Sequence, residues 1–131
     1  MNKKTWAIKF IAVGLIVLSN LFDASAQQSK KFETRCGWLS NPTPFNFSLY
    51  DRESEWIISV QSGYQVEGFE APDFKDQWID TNNSYGYGCA CLNMTVDKET
   101  SRVLAIRKSS ARPLSACQKD KALRKWKSVL E

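Results

Sequence analysis

The chain has 131 residues, carries a formal net charge of +4, and is 43% hydrophobic, 12% aromatic and 24% charged. This balance excludes an intrinsically disordered chain, a collagen-like chain and a coiled coil. Histidine is absent, which excludes Ser–His–Asp and Cys–His nucleophilic sites and every metal site that needs imidazole.

The first 26 residues have the three parts of a secretory signal peptide. Residues 1–9 carry three lysines and no acid, residues 10–22 are almost entirely apolar, and Ala24-Ser25-Ala26 offers small residues for cleavage. The apolar run is shorter than the ~20 residues that a membrane-spanning helix needs. We therefore expect cleavage after Ala26 and a periplasmic or secreted protein that does not span the membrane.

The remaining chain is long enough for one small domain. Residues 27–34 are polar and predict a loose leader, and residues 35–131 predict a single β-rich domain. A domain of this size buries only ~60–70% of its unfolded surface, so its core is thin and covalent cross-links matter for its stability.

All four cysteines lie in the predicted mature chain, at Cys36, Cys89, Cys91 and Cys117. An even number of cysteines in an exported protein predicts a disulfide framework. Residues at i and i+2 of an extended strand are too far apart to bond to each other, which disfavours a bond between Cys89 and Cys91. Two pairings remain: Cys36–Cys89 with Cys91–Cys117, or Cys36–Cys91 with Cys89–Cys117. Each closed loop is worth about 3–4 kcal/mol in the chain-entropy account.

Alternation of apolar and polar residues predicts two β-hairpins. The first spans residues 45–61 and turns at 51–55, where the chain is charged. The second spans residues 87–108 and turns at 97–101.

The segment between the hairpins is acidic and is interrupted by glycine and proline. Residues 62–77 therefore predict a loop, with a short strand at 64–66. Residues 77–80 predict another short strand before the second hairpin.

The C-terminal residues predict a short helix. Ser115 or Asp120 supplies its N-cap, and the position of Cys117 off the apolar face favours Asp120. Five apolar residues share that face: Ala122, Leu123, Trp126, Val129 and Leu130. Together these patterns predict a mainly β (small α+β) fold, with antiparallel hairpins in one small sheet or sandwich, a short C-terminal helix and two disulfides.

Charge is divided unevenly along the mature chain. Residues 27–97 contain five basic and ten acidic residues, whereas residues 98–131 contain ten basic and three acidic ones. Either the basic tail packs beside the acidic loop, or it contacts an anionic surface such as a membrane. The small net charge of an exported chain argues against nucleic acid as a partner.

Residues 84–88 alternate tyrosine with glycine, and glycine permits positive φ and close approach of the backbone. Tyr85 and Tyr87, together with Trp38 and Tyr64, predict an aromatic surface that binds a partner. The alternative is that these rings supply the core and cover the disulfides.

Two other patterns point to chemistry. If reduced, the thiolates of Cys89 and Cys91 could hold Cu(I) or act as a redox pair. Carboxylates at 51–55 and 67–76 could serve a small envelope hydrolase. Cys36 and Cys117 offer Cys89 and Cys91 one disulfide partner each. We therefore expect disulfides, no metal and no cofactor. The redox or Cu(I) role and the hydrolase role are kept as alternatives.

Several motifs are similar to those of one known family. They are Arg35-Cys36-Gly37-Trp38, Ser40-Asn41-Pro42-Thr43-Pro44, Asn83-Ser84-Tyr85-Gly86-Tyr87-Gly88-Cys89-Ala90-Cys91, and Ala111-Arg112-Pro113-Leu114 before Cys117. Over residues 35–123 the chain resembles the bacterial exported family known as domain of unknown function 4087. The resemblance implies a small exported bacterial domain with four paired cysteines, and it brings no activity and no catalytic residue.

These observations favour a binding module over an enzyme. A rigid, disulfide-bonded domain loses little conformational entropy on association. We expect a monomer without catalytic residues that binds an unknown protein of the bacterial envelope, as an inhibitor or protective partner.

Overall fold

The computed structural model describes residues 31–131. The predicted signal peptide and the start of the predicted leader lie outside the described residues. Six strands form within this range: β1 (Glu33–Asn41), β2 (Phe47–Tyr50), β3 (Glu55–Ser59), β4 (Trp78–Asn82), β5 (Tyr85–Asp97) and β6 (Arg102–Arg112). They are followed by α1 (Leu114–Gln118), a 3-10 helix (Lys121–Trp126) and α2 (Lys127–Leu130). None of the helices in residues 31–131 has the length and apolar character needed to cross a membrane.

The strands form one sheet that closes on itself. β1 pairs antiparallel with β2 on one edge and with β5 on the other, and the order β1-β2-β3-β6-β5 returns to β1. A single parallel bridge, from Ile57 to Arg102, joins β3 to β6. β4 lies outside this ring and pairs with the first residues of β5, before β5 begins to pair with β6.

The inner face of the closed sheet holds the main hydrophobic core. Because successive side chains of a strand point to opposite faces, each strand of the ring sends alternate residues inward. The core also takes two side chains from the loop that joins β3 to β4. Its buried members are Leu39, Leu49, Trp56, Ile58, Val66, Phe74, Ala90, Leu92, Met94 and Val103.

The outer face carries a second cluster, which the C-terminal segment (residues 114–131) covers. Its buried members are Trp38, Tyr50, Tyr87, Cys89, Cys117, Leu123 and Leu130. Sequence neighbours such as Trp38 and Leu39 therefore enter different clusters, as the two-residue period of a strand requires. We call these two sets the inner core and the outer cluster.

Both predicted hairpins are confirmed, because β2 pairs with β3 and β5 pairs with β6 in antiparallel register. The short strand predicted at 77–80 corresponds to β4. The strand predicted at 64–66 is wrong: in the described chain only Gln65 forms an isolated bridge, with Ser59. The predicted mainly β fold in one sheet is confirmed, and the bridge between β3 and β6 makes that sheet mixed.

No pattern in the sequence predicted β1, which begins at Glu33, inside the predicted leader. The reason lies in its inward positions, Arg35, Gly37 and Leu39. A cation and a glycine occupy two of them, so the strand lacks the apolar alternation that identified the hairpins.

The predicted C-terminal helix is divided into three short helical turns. Asp120 is the expected N-cap, and its side chain accepts a hydrogen bond from the backbone N–H of Ala122 at 3.0 Å. Leu123 and Leu130 are buried as predicted, but Val129 is 57% exposed. A 3-10 helix has three residues per turn, so positions that follow it leave the face expected from an α-helical period of 3.6.

Candidate functional site

The C-terminal segment is fastened to the outer face of the sheet by a covalent bond and by polar contacts. The disulfide between Cys89 and Cys117 joins β5 to α1. The indole Nε1 of Trp126 donates to the backbone oxygen of Asp51 at 2.7 Å, and its ring lies 5.1 Å from that of Tyr50. These contacts hold the segment as a second layer over the sheet.

A cavity of about 340 Å³ lies between this layer and the sheet. Its apolar lining comes from both sides: Trp38, Ile79 and Tyr87 from the sheet, and Leu123 and Leu130 from the segment. Its polar rim comes from the segment alone: Gln118, Arg124, Lys127 and Glu131. The site therefore has an apolar floor and a charged rim, and we call it the outer cavity.

Trp38 and Tyr87 form the floor of the outer cavity. Their rings meet edge to face, with centroids 5.2 Å apart and an interplanar angle of 88°. Burial raises the pKa of the Tyr87 hydroxyl, and the charge of Glu131 raises it further. The floor is therefore uncharged at neutral pH.

The glycines of the Tyr-Gly-Tyr-Gly motif allow β5 to lie against its neighbours. A Cβ at Gly86 would overlap the backbone oxygen of Ile79, and a Cβ at Gly88 would lie 2.6 Å from the ring of Phe74. Neither glycine has a positive φ, so close approach of the backbone explains this motif. It also places Ile79 directly opposite Tyr87, at the outer cavity.

The four aromatic residues predicted to bind a partner do not form one surface. Trp38 and Tyr87 meet in the outer cavity and are only 7% and 8% exposed. Tyr85 is half-buried two residues before Tyr87 on β5, on the same face of the strand. Tyr64 packs against the inner core, where its hydroxyl donates to the backbone oxygen of Val103.

The cysteines adopt one of the two predicted pairings, Cys36–Cys91 with Cys89–Cys117. Cys89 and Cys91 therefore belong to different disulfides, and residues 31–131 contain no free cysteine. The same residues contain no group of three or more acidic or cysteine side chains arranged to hold a metal ion.

The carboxylates considered for hydrolysis have other surroundings. Arg35, buried beneath the turn after β2, donates through Nη1 to Asp51 at 2.9 Å and to Glu53 at 2.7 Å. The hydrogen bond from Arg35 lowers the pKa of Glu53, and a second one from Lys98 lowers it further, whereas a general acid needs a raised pKa. The four carboxylates at 67–76 are exposed on the loop.

The basic charge of the C-terminal segment is not neutralised by the acidic loop. No salt bridge within residues 31–131 joins the segment to residues 62–77. Lys127 faces Glu131 at 4.0 Å, inside the segment itself. Arg124, on the rim of the outer cavity, has no salt-bridge partner among the described residues.

Sequence reasoning found Trp38 and Tyr87 but missed the other side of the outer cavity. The sequence places Leu123 and Leu130 on one apolar helix face and Arg124 on the face toward water, and it assigns none of them to a binding site. An apolar stripe flanked by cations is typical of any surface helix, so the spacing of these residues carries no specific signal for a cavity. The spacing also cannot show that the apolar face of the C-terminal segment leaves a cavity where it packs on the sheet.

The fold and the site define a class: a small, two-disulfide β protein with a closed sheet and a helical layer that leaves a cavity on its outer face. The chain belongs to the family described as protein of unknown function (DUF4087), whose family model matches residues 30–124. No curated protein and no solved structure matches it.

Proposed function

We propose that this protein is an exported binding module whose outer cavity takes an apolar side chain of a partner protein, with an acidic residue of that partner against Arg124. In this role it acts as an inhibitor or protective partner of another envelope protein. The observation that carries the proposal is the combination of a preformed apolar floor and a rim cation, Arg124, that has no salt-bridge partner within residues 31–131.

The size of the outer cavity supports a side chain as its occupant. At about 340 Å³ it lies at the lower end of the range of ligand cavities, and aromatic anchors in such cavities dominate many protein interfaces. Its walls are held in place by the Cys89–Cys117 disulfide and by the Trp126 indole. A preorganised site loses little conformational entropy on binding.

The charge of the rim supports an acidic neighbour for that side chain. The C-terminal 34 residues, 98–131, contain ten basic and three acidic residues, and Arg124 has no carboxylate partner in the described chain. A guanidinium pairs with a carboxylate through two parallel hydrogen bonds, which fixes orientation as well as affinity.

Export is part of the proposal, and the two disulfides support it because such bonds persist in oxidising compartments. The mass of the protein purified from the envelope of its host tests this directly. We expect a chain that begins at Gln27 and lacks four hydrogen atoms at the cysteines, because each disulfide forms with the loss of two. A chain that retains residues 1–26 would contradict the predicted cleavage.

Binding is tested with two blocked tetrapeptides titrated into the full chain with both disulfides formed. One carries phenylalanine followed by aspartate, and the other carries phenylalanine followed by lysine. We expect the acidic peptide to bind about tenfold more tightly, which corresponds to about 1.4 kcal/mol. Equal affinities, or no saturable binding of either peptide, would contradict the proposal.

Charge reversal on the rim locates this preference. Arg124→Glu is expected to reverse the order of the two peptides. Lys121→Glu is the matched control, because Lys121 is exposed on the same 3-10 helix and does not line the outer cavity. A preference that survives Arg124→Glu would place the binding site elsewhere.

A further inference from the structure

The two disulfides differ sharply in accessibility. Cys89, on β5, and Cys117, in the C-terminal segment that covers it, are 2% and 3% exposed. Cys36 is exposed, whereas its partner Cys91 is only 8% exposed. A thiol in solution therefore reaches the Cys36–Cys91 bond from one side, at Cys36.

The position of this bond in the sheet explains the difference. Cys36 and Cys91 are directly opposed in the pairing of β1 with β5, and both face outward. The C-terminal segment covers the outer face at the neighbouring pair, Trp38 and Cys89, which lies two residues after Cys36 on β1 and two residues before Cys91 on β5. The bond thus lies just beyond the edge of the covering layer.

The sulfur of Cys91 has a cation beside it. Arg112, which ends β6, places its Nη1 at 3.3 Å from the Sγ of Cys91. Arg112 has no salt-bridge partner in the part of the chain that the structure describes. An adjacent guanidinium stabilises a thiolate, and a stabilised thiolate is a better leaving group in disulfide exchange.

We propose that the Cys36–Cys91 bond is a thiol–disulfide exchange site. The thiolate of an external thiol attacks the Sγ of Cys36 and forms a mixed disulfide with it. The bond between the two cysteine sulfurs breaks, and its electron pair leaves on Cys91 as a thiolate beside Arg112. A second external thiolate attacks the external sulfur of the mixed disulfide, which releases Cys36 as a thiolate and completes a two-electron reduction with one external disulfide as product.

The surroundings of Cys36 leave room for an external thiol. Cys36 lines an open cavity of about 720 Å³ together with four carboxylates, those of Glu33, Asp51, Glu53 and Asp120. Two cations, Arg35 and Arg52, also line it, and Lys98 at Glu53 and Arg112 at Cys91 offset the remaining negative charge. A small external thiol therefore meets no net charge of one sign at Cys36.

The experiment follows the order in which the cysteines of the folded, fully oxidised chain become free to react with an alkylating reagent. In cysteamine without denaturant, we expect Cys36 and Cys91 to be alkylated while Cys89 and Cys117 stay bonded. Simultaneous reduction of both disulfides, or no reduction before unfolding, would overturn the proposal.

Arg112→Gln tests the leaving group, with a thiol that carries no charge other than that of its attacking thiolate as the reductant. Because the variant also removes one positive charge that attracts this thiolate, its rate is compared with that of Lys108→Gln, which removes the same charge from β6. We expect reduction of Cys36–Cys91 to slow by about threefold or more. Lys108→Gln is the control, because Lys108 is exposed on the same strand and does not contact either sulfur. Circular dichroism and the melting temperature confirm that both variants are folded. An unchanged rate in Arg112→Gln would remove Arg112 from the site and overturn the mechanism.

Discussion

The inner core and the outer cluster are built in different ways. The inner core takes alternate residues from every strand of the ring, and six of its members are completely buried. The outer cluster joins the sheet to a separate C-terminal layer through a disulfide, aromatic contacts and a hydrogen bond from Trp126. None of the residues that line the outer cavity belongs to the inner core. The difference teaches that the closed sheet holds the completely buried core, whereas the layer laid upon it leaves a cavity.

The largest loss of stability is expected from a substitution in the inner core. Leu92→Ala removes a fully buried side chain at the centre of β5, and we expect the free energy of unfolding to fall by about 3–4 kcal/mol. Leu104→Ala is the control, because Leu104 is 42% exposed on the neighbouring strand β6, and we expect a loss of about 0.5 kcal/mol or less. Chemical denaturation measures both, and similar losses would contradict the assignment of stability to the inner core.

The next largest loss of stability is expected from removing the Cys89–Cys117 disulfide, which fastens the C-terminal segment to the sheet. Replacing both Cys89 and Cys117 by alanine opens a loop of 28 residues, and we expect a loss of about 3 kcal/mol. Hydrogen exchange distinguishes the two regions: amides of the C-terminal segment should exchange rapidly while those that pair β1 with β5 remain protected. Uniform exchange throughout the variant would show that the two regions unfold as one unit.

A smaller effect is expected from the cap of the 3-10 helix. Asp120→Ala removes the acceptor for the N–H of Ala122, which should cost about 1 kcal/mol. Asp120→Asn retains an acceptor and should recover most of this loss. If alanine and asparagine proved equally destabilising, charge and not capping would be the reason for Asp120.

The smallest effect depends on pH. Hydrogen bonds from Arg35 and Lys98 lower the pKa of Glu53 in the folded protein. Its stabilising contribution is therefore present above its ordinary pKa of about 4.5 and is lost as the pH falls through the lowered folded value. In Glu53→Gln, the midpoint of denaturation should depend less on pH below 4.5 than in the unmodified chain. Identical acid profiles would show that Arg35 does not stabilise the ionised carboxylate.

The hairpins could be predicted because their apolar residues alternate along the sequence, and burial on one face produces that pattern directly. β1 could not, since Arg35 occupies an inward position there. The structure shows why the cation is tolerated: it ion-pairs with Asp51 and Glu53, and its guanidinium lies 4.6 Å from the ring centre of Trp56. A buried position stabilised by residues 16 and 18 positions away leaves no local pattern.

The candidate site was predictable only on the side of the sheet. Trp38 and Tyr87 are identified by type, because large aromatic residues are frequent at binding surfaces. Their proximity depends on the pairing of β1 with β5 and on the layer that α2 completes, neither of which is encoded by nearby residues. The choice between the two disulfide pairings could not be predicted for the same reason. It depends on the register that places Cys36 opposite Cys91, and that register is a property of the closed sheet.

The central claim is that the outer cavity, and not the inner core or the cavity beside Cys36, receives a partner. The most direct measurement is a map of amide and indole NMR shifts in the full oxidised chain during titration with the acidic tetrapeptide. We predict saturable shifts at the Trp38 indole N–H and at the amides of Tyr87, Arg124 and Leu130, with Leu92 unchanged. Shifts centred on Cys36, or no saturable shift at Trp38 and Tyr87, would contradict the claim.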